Sequence, residues 1–127
     1  MNELYTAGFD GSSIPNPGEM KIGGWIKDSN QKQRYSFSRS IGQGTNNEAE
    51  YQALIHLLKT ARRLEIKNIF ITGDSALVVS QVNGIWKVKN KRMKVLHEEV
   101  LSLLKGMNWT LKHVVRKYNS EADSLTR

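Results

Sequence analysis

Hydrophobic residues change their spacing at about residue 45, and this change divides the predicted elements into two groups. Before it, residues 3–9, 22–28 and 32–38 are short runs rich in β-forming residues, and the last two flank the turn cluster Asp28-Ser29-Asn30. These runs predict three antiparallel strands. After residue 45, helical spacing alternates with short apolar runs. Strands followed by helix–strand alternation predict an α/β fold, with a mixed sheet flanked by helices.

The second part of the chain begins with a predicted helix from Thr45 to about residue 64. Apolar residues recur there at helical spacing and share one face: Ala53, Leu54, Leu57, Ala61 and Leu64. A buried-strand pattern over residues 68–72 ends at Gly73-Asp74. Further along the chain the pattern predicts helices at about 75–82 and 91–105, a strand at 109–115 and the start of a helix after Asn119.

The length of 127 residues allows one domain, because globular domains typically have about 100–150 residues. No internal repeat or linker interrupts the chain, so we expect a single domain over residues 1–127. No run approaches the roughly 18 consecutive apolar residues of a membrane span, and the first residues lack the features of a signal peptide. We therefore expect a cytoplasmic, monomeric protein that does not associate with a membrane.

The charge of the chain is strongly basic, with 19 Lys and Arg against 12 Asp and Glu and a formal net charge of +7. Such a charge attracts polyanions, of which nucleic acid and anionic membrane surfaces are the usual ones, although a basic protein without such a partner is equally consistent with charge alone. The chain has no cysteine, and its three histidines lack the spacing of a zinc helix. Any bound metal should therefore have oxygen ligands.

Two acidic residues lie in the first turns of the predicted helix, and they have different explanations. At about 100° per residue, Glu50 falls within roughly 60° of the apolar positions, whereas Glu48 is about 160° away from Glu50. A carboxylate on an apolar face needs a cation, a metal or an opening to solvent. Thr45 and Glu48 have the spacing of a capping box, which is a structural role. Glu50 is therefore the functional candidate, with favourable placement near the helix dipole as the structural alternative.

Three aspartates stand at predicted element ends. Asp10 and Asp74 each follow a β-rich run, where ligand sites of α/β sheets gather, and Asp123 falls in the first turn after Asn119. Each alone is also typical of a turn former or a helix cap. Together with Glu50, however, they would form a cluster of four carboxylates that repel each other unless divalent cations neutralise them. The combination predicts Mg²⁺ or Mn²⁺, and a pair of such ions can promote hydrolysis of a phosphodiester.

Four motifs, in order along nearly the whole chain, resemble those of the type 1 ribonucleases H. They are Phe9-Asp10-Gly11-Ser12 with Asn16-Pro17-Gly18, then Thr45-Asn46-Asn47-Glu48-Ala49-Glu50-Tyr51, Thr72-Gly73-Asp74-Ser75 and Asn119-Ser120-Glu121-Ala122-Asp123. The resemblance implies an RNase H-like fold, a mixed five-stranded sheet with helices on both faces. It also implies endonucleolytic hydrolysis of the RNA strand of RNA–DNA hybrids by two Mg²⁺ or Mn²⁺ ions, which leaves 5′-phosphate and 3′-hydroxyl ends.

The resemblance assigns roles to individual residues. The four catalytic and metal-binding acids correspond to Asp10, Glu50, Asp74 and Asp123. Contacts to RNA 2′-hydroxyls are implied for Asn16, Asn46 and Asn47, and less directly for Ser75 and Gln81. Thr45, at a helix N-terminus, is implied as a DNA-phosphate contact. Double-stranded RNA ranks as a distant second substrate after the hybrid.

The chain departs from the family pattern in three respects. The stretch Val115-Arg116-Lys117-Tyr118-Asn119 contains no histidine, although many members carry one in the loop before the last aspartate. Arg116 can neutralise phosphate but cannot shuttle protons near neutral pH. The long basic handle is also absent, and the chain ends soon after Asp123. The sequence therefore resembles the short, handle-lacking branch similar to reverse-transcriptase RNase H domains, with a nucleic-acid-binding module of weak or no cleavage activity as the alternative.

In place of the long basic handle, the chain has a short basic stretch over residues 86–94, which contains no acidic residue. A solvated charged surface is the ordinary explanation for such a run. However, the first turn of a helix disfavours cations, so helix stability does not account for Lys91, Arg92 and Lys94. Phosphate binding does, whereas the tryptophan fits either a sugar contact or closure of the core. The predicted nucleic-acid contacts of the stretch are Trp86, Lys87, Lys89, Lys91, Arg92 and Lys94.

Overall fold

The computed structural model of the protein describes residues 3–115, which form five strands and three helices. In chain order these are β1 (Leu4–Ile14), β2 (Gly18–Lys27), β3 (Gln33–Gly44), α1 (Asn46–Arg63), β4 (Asn68–Gly73), α2 (Ala76–Val82), α3 (Lys91–Leu104) and β5 (Asn108–His113). The predicted helix after Asn119, the catalytic candidate Asp123 and the phosphate-binding candidate Arg116 lie outside the described residues.

The five strands form one mixed sheet in the order β3-β2-β1-β4-β5. The strands β1, β2 and β3 pair antiparallel, whereas β4 pairs parallel with both β1 and β5. This arrangement confirms the predicted fold class, with three antiparallel strands first and helix–strand alternation after them. The pairing changes from antiparallel to parallel across the central strand, β1. That change places the candidate site.

Three strands are longer than the sequence predicts, and one of them, β2, begins at Gly18 instead of residue 22. The strand predicted over residues 3–9 continues to Ile14, and the loop expected as far as Gly18 is reduced to residues 15–17. Likewise β3 continues to Gly44 instead of ending at residue 38. The prediction failed because the extensions are rich in Gly and Ser, which have low β propensity. Pairing with β2 along its full length overrides that propensity, with Asp10 opposite Gly23 and Ile14 opposite Glu19.

The core lies between α1 and the sheet, with α3 packed against α1. The predicted apolar positions Ala53, Leu54, Leu57 and Ala61 are all buried. The prediction for Leu64 was wrong, because the helix ends at Arg63 and Leu64 is a half-exposed C-cap residue. In β4, burial alternates with a period of two. No helix within residues 3–115 is long and apolar enough to cross a membrane.

The N-terminus of α1 has the predicted capping box. The backbone N–H of Glu48 donates to Thr45 Oγ1 at 3.1 Å, and the backbone N–H of Thr45 donates to Glu48 Oε1 at 3.3 Å. Two of the backbone donors at the N-terminal end of α1 are satisfied in this way. The capping box starts the helix at Asn46, so the side chains at positions 46, 47 and 50 have a defined rotation about its axis.

Candidate active site

Three carboxylates meet where the parallel pairing of β1 and β4 ends. One side-chain oxygen from each of Asp10, Glu50 and Asp74 lies within 4.8 Å of those of the other two. Asp10 and Glu50 are buried, with relative exposures of 1% and 7%, whereas Asp74 is partly exposed. The structure therefore brings together the three predicted acids that it describes. We call these three residues the acid cluster.

The pairing of two parallel strands explains how Asp10 and Asp74 come together. The register runs from Leu4 opposite Asn68 to Phe9 opposite Gly73, so Asp10 and Asp74 are the next residues on adjacent strands. The expectation that Asp10 ends its strand was wrong, because β1 continues beside β2 for four more residues. It is the parallel partner β4 that ends there. Asp10 therefore lies at the switch from one pairing to the other, where ligand sites of α/β sheets form.

Gly11 allows the central strand to approach α1. A Cβ atom added to Gly11 would lie 2.2 Å from the backbone oxygen of Ala49, a distance that no side chain can occupy. Because the two backbones are this close, the N–H of Gly11 donates to Glu50 Oε1 at 3.0 Å. The glycine thus has a packing role, whereas the sequence identified Asp10-Gly11 only as a turn signal. The contact orients the Glu50 carboxylate within the acid cluster.

The electrostatics of the acid cluster favour a bound cation. Burial raises the pKa of Glu50 to about 9, with further contributions from the neighbouring carboxylates of Asp10 and Asp74 and a partial opposing effect from the Gly11 N–H. Such a cost of ionisation falls when a divalent cation neutralises the group. All donors in the cluster are carboxylate oxygens, which are hard ligands of the kind that Mg²⁺ and Mn²⁺ prefer. The residues present therefore fit these ions.

Glu48 is also buried, but it faces away from the acid cluster. Its Oε1 atom belongs to the capping box, and its Oε2 atom accepts a hydrogen bond from Arg92 Nε at the start of α3. Glu50, about 160° away around the helix axis, meets the two aspartates, as the helical wheel indicates. The ion pair also gives Arg92 a structural partner that sequence reasoning missed, because the two residues are 44 positions apart.

The asparagines predicted to contact 2′-hydroxyls form a hydrogen-bonded chain beside the acid cluster. Asn46 Oδ1 accepts from the backbone N–H of Ser13 at 2.6 Å, and Asn16 Oδ1 accepts from the backbone N–H of Asn46 at 3.0 Å. Both side-chain oxygens are thus occupied, and both amides offer their NH₂ groups to a ligand. Asn47 is exposed next to them. Ser75 caps α2, with its Oγ accepting from the N–H of Val78.

Two adjoining grooves connect these groups. The first has a volume of about 510 Å³ and contains Glu50 and Asp74 of the acid cluster, together with Asn46 and Asn47. The second has a volume of about 570 Å³ and shares the two asparagines. Its lining also includes Asn16, Thr45, Lys87, Lys89 and Asn90. An extended ligand in the two grooves would pass from the acids over the amides to the lysines.

The predicted basic stretch divides between a loop and a helix. Lys87 and Lys89 lie in the loop between α2 and α3, whereas Lys91, Arg92 and Lys94 are exposed in the first turn of α3. Trp86 is 49% exposed, so about half of its surface is accessible to a ligand. Asn90 caps α3 by accepting from the N–H groups of the second and third helical residues.

His113 and Gln81 contact the site in ways that local spacing does not indicate. His113, the last residue of β5, donates from Nε2 to the backbone oxygen of Asp74 at 3.2 Å. His113 precedes residues 115–119, where the family pattern places a histidine, so that pattern does not indicate it. Gln81 is buried, with both ends of its side chain hydrogen bonded. The parallel register of β4 and β5 could have identified His113, because it pairs with Gly73.

Comparisons with known proteins agree with this geometry. The profile of the reverse transcriptase-like family matches residues 8–127. Ribonuclease HI of Halobacterium salinarum is 35% identical over 118 residues, which are 92% of this chain and 59% of that protein. The bifunctional protein Rv2228c of Mycobacterium tuberculosis is 36% identical over 91% of this chain and 32% of its own length. The chain thus spans between a third and three fifths of these curated relatives.

Solved structures give a closer match in length. The crystal structure of ribonuclease H1 from Halobacterium salinarum superposes with a TM-score of 0.92 at 34% identity, covering 96% of this chain and 93% of that one. LC11 ribonuclease H1, solved in complex with an RNA/DNA hybrid, gives a TM-score of 0.89 at 30% identity, covering 95% and 92%. The chain therefore belongs to the reverse transcriptase-like family, and within it to the type 1 ribonucleases H.

Proposed function

We propose that this chain is an endonuclease that hydrolyses the RNA strand of RNA–DNA hybrids. The observation that carries the proposal is the acid cluster, Asp10, Glu50 and Asp74, of which Glu50 and Asp74 line a groove that continues to exposed amides and lysines. A pure nucleic-acid binder gains nothing from mutually repelling carboxylates that face phosphate. The likeness to LC11 ribonuclease H1, which was solved with an RNA/DNA hybrid, supports the same substrate.

The acid cluster would hold two Mg²⁺ or Mn²⁺ ions, with Asp123 as the fourth acid. When bound, such ions supply an activated water and stabilise the departing oxygen. The chain itself contributes fixed ligands. Asp10 is held by the pairing of β1 with β2, Glu50 is oriented by the Gly11 N–H, and the backbone oxygen of Asp74 accepts a hydrogen bond from His113. Attack by water rather than by the 2′-hydroxyl would leave a 5′-phosphate and a 3′-hydroxyl.

RNA would be distinguished from DNA by donors that need an acceptor. The side-chain oxygens of Asn16 and Asn46 already accept from backbone N–H groups, so their NH₂ groups would donate to 2′-hydroxyl oxygens. A deoxyribose offers no such oxygen, and each donor left unpaired would cost about 1–3 kcal/mol. The other strand would contact Thr45 at the start of α1 and the exposed lysines. We therefore rank the hybrid first, double-stranded RNA second and DNA last.

The experiment is cleavage of three end-labelled duplexes of one sequence: an RNA–DNA hybrid, double-stranded RNA and double-stranded DNA. Each is incubated with Mg²⁺, Mn²⁺ or EDTA. We expect hybrid cleavage with either metal, none with EDTA, and uncut DNA. Hybrid binding without cleavage in either metal would favour the alternative, a binding module; this alternative is motivated by the absence of histidine between residues 115 and 119. A 2′,3′-cyclic phosphate among the products would contradict attack by water.

A further inference from the structure

Gln81 forms hydrogen bonds to three other parts of the fold, two through its buried side chain and one through its backbone oxygen. It lies in the last turn of α2 with a relative exposure of 6%. The hydroxyl of Tyr51 on α1 donates to Gln81 Oε1 at 2.6 Å, and Gln81 Nε2 donates to the backbone oxygen of Lys87 at 3.3 Å. The backbone oxygen of Gln81 also accepts from His97 Nε2 of α3 at 3.1 Å. Gln81 therefore connects the helix of the acid cluster to the loop of the basic stretch.

In this loop, residues 83–90, Val88 packs against the core, and further hydrogen bonds hold the two ends. At its start, the N–H groups of Ile85 and Trp86 donate to the backbone oxygen of Ser80 at 2.8 and 3.1 Å. At its end, Asn90 caps α3. Lys87 lies between these two attachments, and its side chain is exposed in the groove. The bond from Gln81 fixes the backbone from which this lysine extends.

The partner of Gln81 on α1 is Tyr51, which lies beside a residue of the acid cluster. Tyr51 directly follows Glu50, so its hydroxyl extends from the same helical turn that carries an acid of the cluster. Tyr51 is fully buried, and its hydroxyl donates to Gln81 at 2.6 Å. Two hydrogen bonds thus relate the backbone position of Lys87 to the helical turn of Glu50.

Neither core stability nor direct ligand contact explains a glutamine at this position. A buried amide carries a desolvation cost that an apolar side chain of similar size avoids, so a leucine would serve packing at least as well. A direct contact to a 2′-hydroxyl does not account for the two hydrogen bonds of the side chain, because Oε1 accepts from Tyr51 and Nε2 donates to the Lys87 oxygen, which leaves one Nε2 hydrogen for a ligand. What the amide does here is connect two partners.

We propose that Gln81 is a positioning residue, which together with Tyr51 holds Lys87 where it meets a phosphate of the hybrid bound at the acid cluster. The inference rests on the proposed function, because it requires a hybrid in the groove. It assigns to Gln81 an effect on binding that passes entirely through Lys87. A lysine whose backbone is already fixed loses less conformational entropy when it binds.

The test is a double-mutant cycle between Gln81→Leu and Lys87→Ala. Binding of a fluorescent RNA–DNA hybrid is measured against salt concentration in the D10N background, which prevents cleavage under the proposed function. We expect K87A to lower the slope of log affinity against log salt by about one, the share of one phosphate contact. Q81L should lower this slope by a similar amount, and the double variant should lower it no further than K87A alone does. In the cleavage-competent protein, which keeps Asp10, Q81L should raise KM for the hybrid severalfold and leave kcat within about twofold.

Two further variants separate positioning from stability. Tyr51→Phe removes only the hydroxyl and keeps the ring in the core, so it repeats the test if Q81L folds poorly. Thr60→Val is the matched control, because Thr60 is buried on α1 and its hydroxyl bonds the backbone oxygen of His56 at 3.1 Å, away from the loop. T60V should change Tm but neither KM nor the salt slope.

The outcomes are distinguishable. If Q81L and Y51F keep the slope and KM of the parent protein, the positioning role is wrong. It is equally wrong if the effects of Q81L and K87A on binding add, or if K87A alone leaves the slope unchanged. Failure of the parent protein to bind the hybrid at any salt concentration would instead contradict the proposed function itself.

Discussion

The acid cluster and the basic stretch adjoin along the same pair of grooves, but they are constructed differently. Asp10 and Glu50 are buried, and a strand and a helix fix their positions. The lysines of the basic stretch are exposed, on a loop and on the first turn of α3. Groups that take part in chemistry need a position fixed to about half an ångström, whereas a cation on a flexible stem can meet a phosphate from many positions. Substitutions in the acid cluster should therefore reduce turnover, whereas substitutions in the basic stretch should reduce binding of the hybrid.

The largest effect is expected for Asp10→Asn. The change keeps the shape of the side chain but removes one charge from the acid cluster, so hybrid cleavage with Mg²⁺ should fall to background while the circular dichroism spectrum stays native. Glu50→Gln should act in the same way. Glu48→Gln is the matched control on the same helix, since Glu48 faces the capping box and Arg92. If E48Q is the more damaging of the two changes, the assignment of Glu50 is wrong.

The next effect concerns the approach of β1 to α1. Gly11→Ala places a methyl group 2.2 Å from the backbone oxygen of Ala49, so strand and helix must separate. We expect a loss of about 1–3 kcal/mol in unfolding free energy, the usual cost of overpacking, together with a large loss of kcat. Chemical denaturation and steady-state cleavage measure the two effects. Retention of both stability and turnover by G11A would show that the close approach is not needed.

The acid cluster should also make the stability of the metal-free protein depend on pH. The pKa of Glu50 is raised from 4.5 to about 9 in the folded state. The contribution of this group to stability is therefore complete below about pH 4.5 and is lost as the pH rises towards 9, by at most about 1.4 kcal/mol per pH unit. In EDTA, Tm should fall across this range for the parent protein and fall less for E50Q.

The same titration gives a signature of metal binding. Mg²⁺ needs the ionised carboxylate, so it competes with the proton of Glu50 at pH 6 and much less at pH 9. The rise in Tm on adding Mg²⁺ should therefore be larger at pH 9 than at pH 6. An equal rise at both pH values would indicate that the ion binds elsewhere. E50Q provides the control, because its Mg²⁺ effect should be small at either pH.

The two regions also differ in how far the sequence predicts them. The apolar spacing of α1 is local, and it was sufficient to rotate Glu50 towards the core and Glu48 away from it. The capping box is likewise a local pattern. The sequence predicts the site at Asp10 correctly but gives only part of the reason. The strand β1 does not end at Asp10, whereas its parallel partner β4 ends at that level. That register depends on the pairing of residues more than 60 positions apart, which local propensity does not encode.

Contacts between distant elements account for the rest. Gly11 was interpreted as a turn former, since its closeness to Ala49 exists only after β1 and α1 have packed. Arg92 was grouped with the neighbouring lysines, because nothing near it in the chain identifies Glu48 as its partner. Gln81 and His113 have the same character. Residue type predicted the chemistry of the site, whereas the side chains that hold it in place required the tertiary structure.

A smaller effect is expected where the two regions touch. Glu48→Ala removes the reciprocal contact of the capping box and the partner of Arg92, so we expect a loss of about 1 kcal/mol in unfolding free energy. Cleavage well below Tm should decrease far less than in E50Q. Glutamine also fits the last position of a capping box, so E48Q should be more stable than E48A. Equal stability of E48A and the parent protein would mean that the box contributes nothing to α1.

The smallest effects are expected in the first turn of α3. Lys91→Ala and Lys94→Ala should each lower the slope of log affinity against log salt by about one if the lysine meets a phosphate, with kcat unchanged, because neither side chain contacts the acid cluster. Arg92→Ala should combine such a decrease with some loss of stability, since Glu48 loses its partner. Lys67→Ala is the control: Lys67 is exposed just before β4, at the end of that strand opposite to Asp74. If K91A and K94A change the slope no more than K67A does, Lys91 and Lys94 belong to a solvated surface. Phosphate binding would then be assigned to the lysines of the loop that Gln81 contacts.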